Sequence, residues 1–257
     1  MPTDVLMIDE PLTIRVLTVN THKGFNFFNR KLVLPELREA VRTVGADVVF
    51  LQEVLGAHEA LSLRHSSRWP EGTHYEYLAD QMWRSYAYGR NAVYPEGHHG
   101  NALLSKFPII SYQNVDVSVH GTEKRGLLHC RLDTVSRLTT VHAICVHLGL
   151  RAGHRDHQLT LLRNLVNGLP EGEPVIVAGD FNDWRGKAEA ALSQCQLTDV
   201  FSTYYGAPPK TFPAIFPLLR LDRIYVRGVE NFAPVRLPNR PWAHLSDHAP
   251  LAAEIVL

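Results

Sequence analysis

The sequence predicts an α/β chain of the α+β type, with a sheet-on-sheet core flanked by helices, forming one domain over residues 1–257 with its core from about residue 12 onward. Three observations predict this. Apolar strand-like runs and amphipathic helices are mixed along the whole chain, and no linker, repeat, low-complexity tract or composition shift divides them. Between residues 101 and 146 four short apolar runs follow one another with only turn residues between them, the succession of an antiparallel sheet. A short run of four apolar residues, Val175–Ala178, ends in Gly179 and then in oxygen-bearing side chains, as a buried strand does when it reaches a cleft.

Taken in order, Leu12–Val19 alternates and is β-branched, so it predicts a strand that delivers Asn20 at its end. A loop of polar and aromatic residues, THKGFNFFNR, follows. Pro35–Val44 opens on proline, carries Glu36 in its first turn and keeps helical spacing until Gly45. Asp47–Leu51 predicts a strand ended by Gln52 and Glu53, and a second helix covers much of Ala57–Ser66. Tyr75–Arg84 reads as helix and YAYGRNAVYPEGHHG, after it, as an aromatic and glycine-rich loop. Asn101–Ser105, Ile109–Val117, Leu127–Leu132 and Leu138–Val146 are the four short strands. In His157–Val166 the residues Leu159, Leu162 and Val166 share one helical face. Gly179 predicts a sharp turn after the strand at Val175, with a helix from about Gly186 to Gln194 beyond it. Loops rich in proline and aromatics (Tyr204–Phe216) lead to a strand at Leu221–Val226, a segment around Val229–Leu237 and a final strand at Leu251–Leu257.

Composition narrows the function classes. Lys plus Arg and Asp plus Glu are both 26, so the chain as a whole is no electrostatic magnet for nucleic acid or anionic membranes, although a local basic patch depends on distribution and not on the sum. Three cysteines without C-x-x-C spacing imply no disulfide framework and a reducing compartment. The amino terminus, MPTDVLMIDEPL, carries acids where a secretory signal carries Lys or Arg, and no run reaches the ~18 apolar residues of a membrane span. A cytoplasmic protein is expected, and nothing implies a protein partner. There is no G-x-S-x-G for a serine hydrolase and no G-x-x-x-x-G-K-[ST] for an NTPase.

The chemistry-bearing residues share a pattern: an apolar strand ends, and a metal- or phosphate-competent side chain stands at its exit. VLTVN supplies Asn20, VVFLQE supplies Glu53, AICVH supplies His147, and VIVAGDFN supplies Asp180 and Asn182. LRLD places Asp222 at the start of a strand, and SDH places Asp247 and His248 just before another. One Glu or His at a strand end is ordinarily solvated or capping, and Asp and Asn after a strand ordinarily cap the next helix. Six such exits in one chain point instead to a single acidic, His-containing cleft. Asp180 and Asn182 fall on the same side of an extended backbone, as a water-activating carboxylate and its amide partner would. Hard oxygen donors with no Cys pair and no H-E-x-x-H helix favour Mg2+ or Mn2+ over zinc, and metal-assisted hydrolysis as the reaction.

The segments VLTVNTH, VVFLQEV, GNALLSKFPI, VHLG, VIVAGDFND, RLDRIYV and LSDHAPL, in this order, make the chain resemble the endonuclease/exonuclease/phosphatase superfamily of DNase I-like metal-dependent phosphoesterases, and within it small bacterial cytoplasmic members. The resemblance implies a four-layer sandwich, two mainly antiparallel sheets face to face with helices outside. It implies Glu53 as principal Mg2+ ligand, with Asn20 and Asp247 near the same ion or the scissile phosphate. Asp180 would orient or deprotonate the attacking water, held by Asn182. Asp222 would fix the tautomer of His248, which donates to a phosphoryl oxygen, and His147 would stabilise the pentavalent state or assist the leaving group. His147-Leu148-Gly149 stands where the family's apurinic endonucleases have a Tyr-Val-Pro-Asn type segment, which weakens the case for abasic-site repair. No basic extension is present to track a duplex.

The activity expected is a Mg2+-dependent phosphodiesterase, with nucleic acid as the favoured substrate of an endo- or exonuclease. A phospholipid head group or small phosphoester is the second expectation, and a non-catalytic binding module on the same scaffold the third. Further substrate contacts are expected from His22, Lys23, Asn101, Arg125, Arg151 and Arg155, against the plainer reading of solvated loops, a surface salt bridge and an exposed helix start. The loop aromatics Tyr86, Tyr88, Tyr94, Phe212, Phe216 and Trp242 either stack on bases or contact acyl chains, or simply pack.

Overall fold

The computed structural model describes residues 11–119, 121, 123–134 and 139–257. The acidic amino-terminal stretch before residue 11 and Leu138, the expected first residue of a strand, lie outside the described residues.

Two six-stranded mixed sheets form the centre. The first contains β1 (Thr13–Asn20), β2 (Val48–His58), β3 (Ser85–Tyr94), β4 (Gly97–Ser105), β11 (Asn231–Val235) and β12 (Leu251–Val256), in the spatial order β11-β12-β1-β2-β4-β3. The second contains β5 (Ile109–Asp116), β6 (Gly126–Thr134), β7 (Thr139–His147), β8 (Val175–Asp180), β9 (Thr198–Asp199) and β10 (Asp222–Arg227), in the order β5-β6-β7-β8-β10-β9. Each sheet has one parallel pair, β1 with β2 and β7 with β8, and its other neighbours are antiparallel.

A parallel pair needs a crossover, and helices supply both. α1 (Leu34–Val44) links β1 to β2, and α4 (Ala152–Asn167) links β7 to β8. α1 buries Leu37 and Val41 with Leu17 and Val19 of β1; the short α2 (Glu59–Arg64) follows β2, and α3 (His74–Ala79) adds Leu78 to the α1 cluster. α4 buries Leu159 and Leu162 with Ile144 and Val177, together with Ala188 and Leu192 of α5 (Lys187–Leu192). The opposite faces of the two sheets meet each other through Val16, Phe50, Leu103, Cys145, Ala178, Ile224 and Ala253. Helices outside and sheets inside give the expected four layers.

The period of two within each strand then positions the site. Ile14 and Val16 of β1 face the opposite sheet, so Asn20 does too; Cys145 and Ala178 do, so His147 and Asp180 do; Ile224 does, so Asp222 does. The apolar core thus gives way, at one edge of the sandwich, to polar side chains.

Four expectations are corrected in detail. β2 does not end at Glu53 but runs on to His58, with its register against β4 shifted between Leu51 and Val54. The expected helix at 75–84 stops at Ala79, and the expected glycine-rich loop is the β3–β4 hairpin. Gly179 does not turn the chain: β8 continues through it to Asp180, and its missing side chain admits Val146, whose carbonyl oxygen would lie 1.9 Å from a Cβ there. A short helix, α6 (Val200–Tyr205), capped by the Asp199 carboxylate, occupies residues with no expected element.

Candidate active site

Asp180 is the hub. Its Oδ2 accepts from Asn20 Nδ2 at 3.2 Å and from Asn182 Nδ2 at 3.3 Å, and its Oδ1 accepts the Asn182 backbone N–H at 2.9 Å. Nε2 of His147 lies 3.6 Å and Nε2 of His248 lies 3.8 Å from the same Oδ2. Both exceed a good hydrogen bond, so the two rings border a space beside the carboxylate without closing it. Asn182 takes a left-handed φ of 49° and also donates Nδ2 to the Leu148 carbonyl at 3.0 Å, which fixes its amide between two strand ends. The capping alternative holds for Asp183, whose carboxylate accepts the Ala188 N–H at 2.6 Å, and not for Asp180.

Glu53 reaches this space from the other sheet. It sits in the β2 irregularity at φ 55°, a backbone region costly for a residue with a Cβ, and bulges of this kind re-aim side chains beside active sites. Its carboxylate lies 3.9 Å from His147 Nε2 and 3.3 Å from Lys23 Nζ. Burial works against its charge, but the His147 ring, the Lys23 ammonium and His22 outweigh burial and hold it at about 2.

Asp222 and His248 form a buried pair, with His248 Nδ1 donating to Asp222 Oδ2 at 2.9 Å and the Phe212 ring packed 5.1 Å from the imidazole. Burial opposes the imidazolium, yet Asp222 and then Asp180 push it up to about 10. Asp180 itself is pushed up to about 7, by burial first and by Asp222 and Glu53 against the pull of His248. His147 is driven well below its ordinary value by burial and by Arg125. At neutral pH the site therefore holds one protonated ring, one neutral ring and a carboxylate poised near its midpoint.

Asp247 joins through Ser246, whose Oγ donates to the Asn20 carbonyl at 2.6 Å and lies 3.3 Å from Asp247 Oδ1, and His22 Nε2 lies 3.7 Å from Asp247 Oδ2. The geometry thus brings Asn20, His22, Lys23, Glu53, His147, Asp180, Asn182, Asp222, Asp247 and His248 to one place. Asn101 is buried on the same inner face, its Nδ2 donating to the carbonyls of Gly126 and Cys145 and its Oδ1 without a partner among the described residues. Arg125 lies close enough to act on His147, but its Nε is bound to the Leu148 carbonyl and its guanidinium to Glu123. Arg151 is exposed at the rim. Arg155 is withdrawn from any substrate: it is buried, bonded to the carbonyls of Gly149 and Leu150 and stacked 4.5 Å from the Trp184 ring. Ser246 and Phe212 were not singled out for these roles; the serine of the SDH triplet was the available signal, whereas a ring contact across 36 positions leaves none.

The donor set fits a divalent cation. Four carboxylates, those of Glu53, Asp180, Asp222 and Asp247, converge with one imidazolium and the Lys23 ammonium, and Asp222 and Glu53 add to burial in raising Asp180. Among the described residues, Asp180, Asp222 and His248 offer ligand atoms within 4.8 Å of one another.

The family model described as "Endonuclease/Exonuclease/phosphatase family" matches residues 17–248. The uncharacterized protein YbhP of Escherichia coli (strain K12) is 59% identical over 249 residues, covering 96% of this chain and 98% of that one. Among solved structures, an endonuclease/exonuclease/phosphatase from Beutenbergia cavernae matches with a TM-score of 0.77 at 20% identity, over 95% of this chain and 72% of that one. The human Nocturnin catalytic domain with bound sulfate matches with a TM-score of 0.72 at 19% identity, over 97% and 95%. These two likenesses are of fold, which is DNase I-like. On the extent of the family match and the identity to YbhP, the chain belongs to the endonuclease/exonuclease/phosphatase family.

Proposed function

We propose that the protein is a Mg2+-dependent phosphodiesterase (Mn2+ serving as well) that hydrolyses P–O bonds with an activated water. The observation that carries this is Asp180: buried, held by two amide side chains, raised to about 7 and flanked by two imidazoles whose Nε2 atoms lie 3.6 and 3.8 Å from its Oδ2. A general base works best with a pKa near the operating pH, and Asp180 is positioned to take the proton of a water. His248, protonated and locked by Asp222, donates from Nε2 to a phosphoryl oxygen. His147, neutral, stands on the other side to donate to the developing charge or to the leaving oxygen.

Glu53, Asn20 and Asp247 are the residues that would hold the metal ion. The Asp180–Asp222–His248 group is better suited to moving protons, because an imidazolium at about 10 has no lone pair to offer a metal at neutral pH. When bound, Mg2+ supplies neutralisation of charge on phosphate oxygens.

Nucleic acid is the substrate class favoured by the family resemblance and by cations at the site mouth such as Lys23. A phospholipid head group is the second reading, favoured by the apolar side chains exposed around that mouth. Hydrolysis of a soluble aryl phosphodiester with Mg2+ or Mn2+, against an EDTA control, tests the chemistry apart from the substrate. Asp180→Asn should lower turnover by about 10²–10⁴, the range of general acid–base catalysis, with the thermal transition retained. Wild-type turnover in that folded variant would remove Asp180 from the mechanism.

A further inference from the structure

Four loops leave the sandwich at the edge where the site lies, since β1, β7 and β8 end there at Asn20, His147 and Asp180, and β10 begins there at Asp222, opposite Asp180. Each loop raises an apolar side chain into solvent beside a cation. Phe28 is 62% exposed and precedes Arg30; Leu150 is 57% exposed and precedes Arg151; exposed Trp184 precedes Arg185. The fourth loop is a small hairpin closed by the Phe212–Leu219 bridge, with Ile215, Phe216 and Leu218 exposed at its tip and Lys210 and Arg220 at its base. This hairpin is part of the site wall, because the Phe212 ring packs on His248 and the Ala214 N–H bonds the Asp247 carbonyl at 2.7 Å. Arg151, Arg185 and Lys210 have no ion-pair partner among the described residues.

We propose that this rim docks the cleft onto an anionic phospholipid bilayer, the apolar tips entering the head-group boundary and the cations meeting the lipid phosphates. Docking itself is independent of the phosphodiesterase reading; only the later presentation of a head-group phosphodiester to Asp180 rests on it. Chemistry separates this occupant from a nucleic acid. Aromatic tips such as Phe28, Trp184 and Phe216 would stack on bases, but Leu150, Ile215 and Leu218 have no π face and nothing to gain there. In the acyl boundary all six gain, each in proportion to the apolar area it removes from water. A neutral chain needs no overall charge for this, because cations near an anionic leaflet act locally, within a Debye length of its surface.

The test is co-sedimentation of the full chain with vesicles of phosphatidylglycerol and phosphatidylcholine, compared with phosphatidylcholine alone. The wild type should sediment with the anionic vesicles and far less with the neutral ones. Phe216→Ser with Leu218→Ser should weaken binding at least roughly tenfold, from the apolar burial of two side chains. The same variant should keep the wild-type thermal transition, which shows it folded. Wild-type protein left in the supernatant, or a double variant that sediments as fully as wild type, overturns the proposal. So does binding of a single-stranded oligonucleotide that this variant abolishes while vesicles bind neither protein. Vesicle binding by a wild type that hydrolyses no phosphodiester would sink the phosphodiesterase reading and support docking.

Discussion

The proton inventory of the cleft is set by three side chains, Asp180, Asp222 and His248, whose polar atoms lie within 4.8 Å of one another, and a single substitution should redistribute it. His248 is held protonated mainly by the Asp222 carboxylate, which lies 2.9 Å from Nδ1 and offsets the burial that would otherwise strip the ring of its proton. A donor must keep its proton to work, so turnover is expected to fall at the alkaline side as His248 deprotonates. Asp222→Asn replaces the charge with a neutral amide of the same size. The raising influence is removed and the burial remains, so the folded pKa falls, and with it the alkaline limb of the kcat–pH profile moves to lower pH. The acid limb carries no such fixed sign, because Asp180 loses the lift of Asp222 and, wherever His248 becomes neutral, also the stronger downward pull of the imidazolium. Rate profiles of the two proteins between about pH 5 and 11, a window that brackets His248 at about 10, check the alkaline sign, and an alkaline limb that stays in place would exclude His248 as the donor.

Strands deliver the site and one irregularity completes it. The inward positions were legible because a strand with Val, Ile or Ala facing the core at every second residue fixes where its last side chain points; Asn20, His147, Asp180 and Asp222 all obey this. The illegible parts depend on backbone proximity. The β3–β4 hairpin reads as a loop because of its glycines, yet Gly97 and Gly100 are there for close approach: a Cβ would meet the Ala57 carbonyl oxygen at 1.9 Å and the Gly89 carbonyl oxygen at 1.8 Å. The extension of β2 beyond Glu53 was hidden for a related reason, since a polar pair after an apolar run looks like a strand end and is here a register shift. Arg155 looked like a rim cation because its charge is visible in the sequence and its three internal partners are not. The β2 irregularity carries its own test. At φ 55° Ala retains the left-handed strain that Gly does not, so Glu53→Gly should be more stable than Glu53→Ala by about 1 kcal/mol, the reverse of their order in regular strands. Urea denaturation of the two variants measures the difference, and neither should support metal-dependent turnover.

At the scale of the molecule the site is a seam. Asn20 and Glu53 come from one sheet and Asp247 from the loop entering it, whereas His147, Asp180 and Asp222 come from the other, and the hydrogen bond from Asn20 Nδ2 to Asp180 Oδ2 spans the two. Below the seam the sheets are held by an apolar core; at the seam carboxylates from both, Glu53 and Asp180 among them, face one another closely enough to interact. A ligand that neutralises those charges should therefore act on the whole sandwich and not on one loop. The proposed metal residues lie on the first sheet and the loop entering it, so Mg2+ without an anion should slow amide hydrogen exchange chiefly at the end of β1, around Glu53 of β2 and in the loop before β12. Inorganic phosphate added with Mg2+ would be met by His147 and His248 as well, and protection should then extend to the ends of β7 and β8. At a ligand concentration of about one hundred times Kd the stabilisation is about 2.7 kcal/mol, which for a chain of this size raises Tm by roughly 5–10 °C. EDTA should reverse the shift, and Glu53→Gln should abolish the Mg2+ part of it. A Tm and an exchange pattern that ignore Mg2+ and phosphate together would mean that the two sheets do not share a ligand at this edge, and the proposed chemistry would lose its site.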